Sequence, residues 1–310
     1  MDAAAASWYP RRTSHWTDWD VAALVDAKGA SRVSVVIPAR NEAPTIGGIV
    51  AGIRHELMDR HPLVDELVVI DSDSTDGTAG IAADNGATVH AARSIRPDLG
   101  GYAGKGEAMW KSLFVTTGQT IAFIDADLTG WGTHFVAGLL GPLLADPAVR
   151  LVKGFYDRVL EDGSTRHTPQ GGRVTELVAR PLLNMWWRDL AAVVQPLAGE
   201  WAVRRDVMCS MTVPVGYGVE MAVLLDVHDR YGLDAIAQVD LGERAHSHQS
   251  VHDLGVMAAE VLHTAARRAG MAVPDSDETQ LWQFDRASGR EWIARPVPLV
   301  ERPPADTVGA

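Results

Sequence analysis

From residue 32 to residue 145 the chain alternates short apolar runs with segments of helical spacing. RVSVVIP (32–38), VDELVVID (64–71) and TIAFID (120–125) are dense in β-branched residues with few polar positions, the pattern of strands covered on both faces. TVHAA (88–92) is a weaker strand of the same kind. Between them, NEAPTIGGIVAGIRHEL sets a cap residue, Asn41, ahead of helical spacing, and STDGTAGIAADNGA and GEAMWKSLFVTTG read as further helices. This alternation predicts an α/β fold: a mixed, mostly parallel, Rossmann-like sheet flanked by helices. Beyond residue 150 the rhythm changes. RLVKGFYDRVL is an extended run, EDGSTRHTPQGG a polar loop, and RVTELVARPLLNMWWRDL a helical pattern broken at Pro181. GYGVEMAVLLDVHDRYG reads as a helix, DAIAQVDLGER as a strand and SVHDLGVMAAEVLHTAARRAG as a long helix. The expected division is an N-terminal extension (1–30), irregular but for a short helical pattern at DVAALVDAKG, an α/β region (31–150), a helical region (151–270) and a Pro- and charge-rich tail (271–310). The tail is expected to wrap the surface or stay partly disordered.

Composition narrows the function. A chain of 310 residues at 46% hydrophobic is globular and can bury a sizeable core. The formal charge of −12 argues against nucleic acid as a partner, while a small anionic ligand needs only a few local cations or a metal. The single cysteine, Cys209, cannot form an intramolecular disulfide and fits a reducing compartment. The start MDAAAASWYPRR lacks the order of a signal peptide, and no run of about 18 apolar residues is present to span a bilayer. A soluble, cytoplasmic protein with no membrane partner is expected.

Ligands of open α/β sheets sit at the carboxyl ends of the strands. Four polar clusters occupy those ends: Pro38-Ala39-Arg40-Asn41-Glu42, Asp71-Ser72-Asp73-Ser74, Gly104-Lys105-Gly106-Glu107 and Asp125-Ala126-Asp127. The first carries no glycine, which rules out a dinucleotide fingerprint, and Leu99 stands where a P-loop needs its first glycine. An Asp-x-Asp pair at a strand end offers oxygens to Mg²⁺ or Mn²⁺, and a divalent ion neutralises a diphosphate. Alone, such a pair is more often the solvated polar tip of a turn. Four polar ends at one sheet edge favour a nucleotide-sugar site.

The words VSVVIPARNEAPTI, VDELVVIDSDSTDGT, GKGEAMWKSL, FIDADL, LVKGFYDR, GGRVTELVARPLL, QPLAGE, PVGYGVE, GLDAIAQVDLGERAH and ERPP run in order over almost the whole chain. Together they resemble the GT-A glycosyltransferases, and more specifically the retaining glucosyl-3-phosphoglycerate synthases of actinobacteria, close to mannosyl-3-phosphoglycerate synthases. The resemblance implies a GT-A fold with a C-terminal acceptor-binding region, and transfer of glucose from UDP-glucose to 3-phosphoglycerate with Mg²⁺ or Mn²⁺. It implies that Pro38, Ala39, Arg40, Asn41, Glu42 and Ser72 hold the uracil and ribose, with Lys105 nearby. Asp125 and Ala126 then face the nucleotide, and Asp127 ligates the metal with His246. Gly172, Arg173, Val174 and Thr175 grip the acceptor's phosphate or carboxylate beside His248. The Gly-Gly turn opening a helix with an arginine beside it suits an anion. Glu200 and Glu220 contact the sugar, Tyr217 and Arg244 line its pocket, and Glu220, Asp127 and Lys105 are the catalytic candidates. A homodimer through 177–190 and 251–269 is also implied.

Three places depart from the group's pattern. DSDS stands for DSGS and adds Asp73; LTGWGTH follows the Asp pair and adds Trp131; Ser247 and His248 follow His246 in place of Arg and Asn. The alternative is therefore a paralogous hexosyltransferase using GDP-mannose or another small anionic acceptor. A nucleotidyltransferase would need a Gly-rich basic loop after the first strand, and PARNEA does not supply one. A non-catalytic nucleotide-sugar binder has no need of the Asp pair, His246 and GGRVT together.

Overall fold

The structure, a computed structural model, describes residues 1–161, 166–167, 172–245, 250–286 and 289–310. In chain order the strands are β1 (Thr13–His15), β2 (Val33–Ala39), β3 (Glu66–Asp71), β4 (Thr88–Ala91), β5 (Thr120–Phe123), β6 (Leu151–Glu161), β7 (Arg166–His167), β8 (Trp201–Arg204), β9 (Val213–Pro214), β10 (Ile236–Ala245), β11 (Glu278–Asp285), β12 (Glu291–Pro298) and β13 (Glu301–Arg302). The main sheet runs β1-β10-β6-β8-β5-β2-β3-β4, with β7 on β6. Its neighbours are parallel except around β8, which is antiparallel to both β5 and β6, and at β7. The mixed, mostly parallel sheet expected from the apolar runs is what forms.

The apolar runs explain the layers. Successive side chains of a strand point to opposite faces, so β2 sends Val36 to one layer and Val33, Val35 and Ile37 to the other. Val36 packs with Ile70, Phe123 and Trp201 beneath the helices Lys105–Ser112 and Val219–Tyr231. The opposite face is covered by the helices Ala43–Arg54 and His134–Ala145 through Ile46, Ile49, Phe135 and Leu139. Each fully buried Val or Ile contributes about 1.5–3 kcal/mol, and the one buried polar side chain of β2, Ser34, is hydrogen-bonded to Glu66 and the Gly118 N–H.

The reversed strand shapes the site. Because β8 runs against β5, Phe123 pairs with Trp201, and the residue before β8, Glu200, sits beside the residues that follow β5. Two clusters distant in sequence thereby share one sheet edge.

Three expectations are corrected. The N-terminal extension carries the helix Val21–Lys28 that DVAALVDAKG predicts, but the rest is not irregular: Ala3–Arg12 is a helix, β1 joins the sheet edge on β10, and the fully buried Trp8 donates Nε1–H to the Ile236 carbonyl at 2.9 Å. Asn41 does not cap its helix. It lies in the left-handed region at φ 59°, and Glu42 takes the cap position without a side-chain bond. Pro181 does not break a helix but stands in the first turn of Arg180–Trp186, where its missing N–H costs nothing. Of the two alternatives for the last forty residues, a surface-wrapping tail fits: they form a largely exposed antiparallel hairpin, β11–β12, and β13 pairs with β9.

Candidate active site

Five charged side chains from different elements meet beyond the end of β5. Lys105, the first residue of its helix, places Nζ 2.6 Å from Asp125 Oδ1 and 2.7 Å from Glu220 Oε1. Glu220 lies in the first turn of the helix Val219–Tyr231 and is 4% exposed. Arg244, near the end of β10, reaches Glu200 Oε1 at 3.0 Å, Asp127 Oδ1 at 2.7 Å and the Tyr156 hydroxyl at 2.7 Å, with Asp125 Oδ2 at 3.5 Å. Burial pulls Lys105 downward, yet Asp125 and Glu220 outweigh it and hold the ammonium well above its ordinary value. Burial pushes the Glu200 carboxyl up, opposed by Arg244. Glycine is required at 199 because a Cβ there would collide with the Asp125 carboxylate. The cluster is a packed set of alternating charges, so each side chain has one available position.

The two aspartates of the Asp-x-Asp pair occupy different settings. The Asp125 side chain is 21% exposed and held by Lys105, whereas that of Asp127 is 41% exposed. Ala126 between them is buried, and its carbonyl accepts the Thr45 hydroxyl at 2.6 Å.

The nucleotide-side residues are organised by backbone more than by side chain. Ala39 is buried, and its carbonyl accepts the N–H of Ser72 at 2.9 Å. The Asn41 N–H donates to Ser74 Oγ and Asn41 Oδ1 accepts the Thr75 N–H, both at 2.9 Å, while the Glu42 N–H donates to Thr78 Oγ1 at 2.8 Å. Pro38 is half-buried and Arg40 exposed at this same edge. The extra carboxylate Asp73 pairs with Arg93 at the surface, and Trp131 packs edge-on against Phe135.

A divalent cation suits the donor set. Burial, together with the charges of Asp127 and Asp125, raises Glu42 to about 7. The carboxylates of the Asp-x-Asp pair are hard oxygen donors of the kind a divalent cation takes while it keeps other positions for phosphate oxygens. Among the described residues no group of three or more His, Cys, Asp or Glu is placed to hold a metal ion. His246 and His248 lie outside the described residues.

The acceptor segment opens a helical stretch. Gly172 is half-buried and Arg173 exposed, while Val174 and Thr175 are buried, at 7% and 4% exposure, so Val174 can offer an acceptor only its backbone. Tyr217 is 42% exposed, and its N–H donates to Glu260 Oε2 at 2.5 Å.

Lys153 and Glu260 were not singled out from sequence, and Asp71 was named only as part of its strand-end cluster. Lys153 in β6 is 1% exposed, donates to the Ala198 carbonyl at 2.8 Å and lies 5.6 Å from the Trp201 ring centre. It pins the turn that carries Gly199 and Glu200. A lysine inside the apolar run RLVKGFY was the available signal, since a buried lysine demands a partner. Asp71 at the end of β3 is 6% exposed, and its Oδ1 has no hydrogen-bond partner. A buried orphan of this kind at the strand edge is an open acceptor for a nucleoside donor. Glu260 carried no such signal; its helical position looks like any other amphipathic glutamate.

Similarity to known proteins agrees with this geometry. Residues 34–189 match glycosyl transferase family 2. The glucosyl-3-phosphoglycerate synthase of Mycolicibacterium smegmatis is 43% identical over 303 residues, covering 97% of this chain and 98% of the relative. That of Petrotoga mobilis is 40% identical, covering 89% and 87%. The crystal structure of the Mycobacterium tuberculosis synthase with Mn²⁺, UDP-glucose and phosphoglyceric acid superimposes with a TM-score of 0.85 at 43% identity, covering 96% of this chain and 98% of that one. The full-length match and the shared GT-A architecture together establish that this chain belongs to the glucosyl-3-phosphoglycerate synthase family, within glycosyl transferase family 2.

Proposed function

We propose that the chain transfers the glucosyl unit of UDP-glucose to a hydroxyl of 3-phosphoglycerate, with retention at the anomeric carbon and with Mn²⁺ or Mg²⁺. The observation that carries this reading is the buried cluster of Lys105, Asp125, Glu200, Glu220 and Arg244 at the sheet edge. It fits the relatives crystallised with Mn²⁺, UDP-glucose and phosphoglyceric acid, and with Mn²⁺, UDP and glucosyl-3-phosphoglycerate. Asp127 and His246 would hold the cation, which neutralises charge on the diphosphate when bound.

The chain's own groups do the rest. Lys105 stays protonated across the working pH range and presents a fixed positive charge toward the departing diphosphate. Glu200 and Glu220 accept hydrogen bonds from sugar hydroxyls and place negative charge near the anomeric carbon, where positive charge builds as the bond to UDP breaks. The acceptor oxygen forms its bond on the same face, and its proton passes to the departing phosphate oxygen. A covalent Glu220 adduct is the competing route. The 2.7 Å contact with Lys105 occupies Glu220 Oε1 and lowers its nucleophilicity, which favours the direct route. Arg173, beside Gly172, grips the acceptor's phosphate or carboxylate.

No helix among the described residues is long and apolar enough to cross a membrane. The buried free thiol of Cys209 fits a reducing compartment, and we take the reaction to be cytoplasmic. A homodimer would cover the exposed Leu177, Met185 and Trp186 on one segment and Val251 and Leu262 on the other.

The test is incubation with UDP-glucose or GDP-mannose, 3-phosphoglycerate and Mn²⁺, with NMR of the product. Release of UDP with an α-linked glucosyl-phosphoglycerate is expected. Pyrophosphate release, or transfer only from GDP-mannose, would overturn the reading. Trapping a Glu220 adduct with a slow donor analogue would overturn the direct route alone.

A further inference from the structure

The tail ends in a strap that reaches the catalytic helix. β13 pairs with β9, Glu301 against Pro214 and Arg302 against Val213, and the Val215 N–H donates to the Val300 carbonyl at 3.1 Å. On its other side the strap sends Arg302, 6% exposed, across the start of the helix Lys105–Ser112. Arg302 donates Nε–H to Glu107 Oε2 at 2.7 Å and Nη2–H to Glu107 Oε1 at 2.6 Å, a bidentate pair with a carboxylate that is 2% exposed. The same guanidinium donates to the carbonyls of Leu99 at 2.8 Å and Gly100 at 3.2 Å, and lies 4.6 Å from the Tyr102 ring centre and 4.7 Å from that of Trp110. The Trp110 Nε1–H donates to the Pro303 carbonyl at 2.8 Å.

Glu107 stands two residues after Lys105, in the same helical turn. The first N–H groups of a helix lack partners within it; here Gly106 N–H donates to the Gly216 carbonyl at 3.2 Å and Glu107 N–H to the Val215 carbonyl at 2.8 Å. Residues 215 and 216 lead directly into Tyr217 and Glu220. Glycine is needed at 104 and 106 because a Cβ at either would strike the Val215 or Pro214 carbonyl. The turn bearing Lys105, the loop leading to Glu220 and the strap are thus fastened into one unit, with Arg302 at its centre.

We propose that Arg302 is a positioning residue for catalysis: through Glu107 and the Leu99–Gly100 carbonyls it fixes the helical turn that sets Lys105 against Glu220. The inference rests on the reading of Lys105 and Glu220 as groups at the departing diphosphate and the sugar. A fork holding four acceptors and two rings cannot be replaced by an ammonium, so charge alone does not rescue it. A displacement of about 1 Å at reacting groups costs on the order of 100-fold in rate.

The test uses the full-length chain, its R302K and R302A variants, steady-state kinetics with UDP-glucose, 3-phosphoglycerate and Mn²⁺, and hydrogen exchange of peptides covering 104–108 and 213–218. R302K is expected to lower kcat about 10-fold and R302A about 100-fold, with both KM values within about threefold of wild type. Exchange at 104–108 is expected to quicken while β2 and β5 stay protected. Should R302A fail to fold, R302K decides. Wild-type kcat in R302K, or unchanged exchange at 104–108 in the folded variants, overturns the proposal. A wild-type chain that releases no UDP overturns the reading of the site instead, and the exchange measurement still decides the clamp.

Discussion

Lys105 Nζ and Glu220 Oε1 lie 2.7 Å apart, one at the start of a helix in the α/β region and the other in the first turn of a helix more than a hundred residues later. On the proposed reading of the site, the contact joins its nucleotide side to its sugar side. It is also asymmetric. Lys105 has a second carboxylate, Asp125, at 2.6 Å, so losing Glu220 leaves the lysine paired, whereas losing Lys105 takes the ammonium from Glu220 and leaves Asp125 to Arg244 at 3.5 Å.

Glu220→Gln is therefore expected to fold like the wild type and to lose about 10²–10³-fold in kcat, the usual effect of removing one group aimed at developing charge. Lys105→Met should cost stability as well, about 3 kcal/mol or more, because buried carboxylates are left facing one another. Urea denaturation beside steady-state kinetics separates the two effects. Wild-type turnover in Glu220→Gln would remove Glu220 from the chemistry.

Asp127 is the more open of the paired aspartates, and its charge with that of Asp125 helps to raise Glu42. Its replacement by alanine should abolish Mn²⁺-dependent turnover by at least about 100-fold, the scale of losing a metal or its orienting ligand. The melting temperature should hardly move, since Arg244 keeps Glu200 and Tyr156. Isothermal titration of Mn²⁺ in the presence of UDP reads the loss directly. Unchanged Mn²⁺ affinity in the variant would move the ion elsewhere.

Lys153 gives the fold a pH signature. Burial pulls it from 10.5 down to about 7, against the opposing charge of Glu220, with Lys105 adding to the fall. Between those values the unfolded chain binds a proton on Lys153 that the folded chain does not. Stability from this group therefore rises with pH across that window, and is lost as pH falls from about 10.5 toward 7. Lys153→Met should flatten that slope. Urea midpoints of both proteins at several values between pH 7 and 10 check it, and parallel curves would show that Lys153 is charged in the folded state.

The sheet was legible because its signal is local. β2, β3 and β5 are apolar runs that no other element can absorb, and the polar ends of those strands follow from the topology. The Asp-x-Asp pair, Lys105 and Glu220 were reached through motif words, but their contacts were not, because β8 runs backwards and brings Glu200 beside Asp125 only in three dimensions. Asn41 looked like a helix cap, and the structure instead spends it on the loop at Ser74 and Thr75. The tail's composition left surface wrapping and partial disorder both open. Arg302 finds a buried carboxylate in Glu107 far away in sequence, and such a pair leaves no periodic trace.

Acceptor choice gives the last test. Arg173 is exposed at the opening of a helical stretch beside Gly172, whereas Val174 is buried in the core. A guanidinium donating to a phosphate or carboxylate is worth about 1.5–3 kcal/mol. Arg173→Ala should accordingly raise the KM for 3-phosphoglycerate by about 10- to 100-fold and leave the KM for UDP-glucose and its slow hydrolysis without acceptor near wild type. Arg173→Lys should recover only part of the loss, since an ammonium cannot make the paired contact. A rise in the UDP-glucose KM with an unchanged acceptor KM would place Arg173 on the donor side and leave the acceptor's anion to other groups.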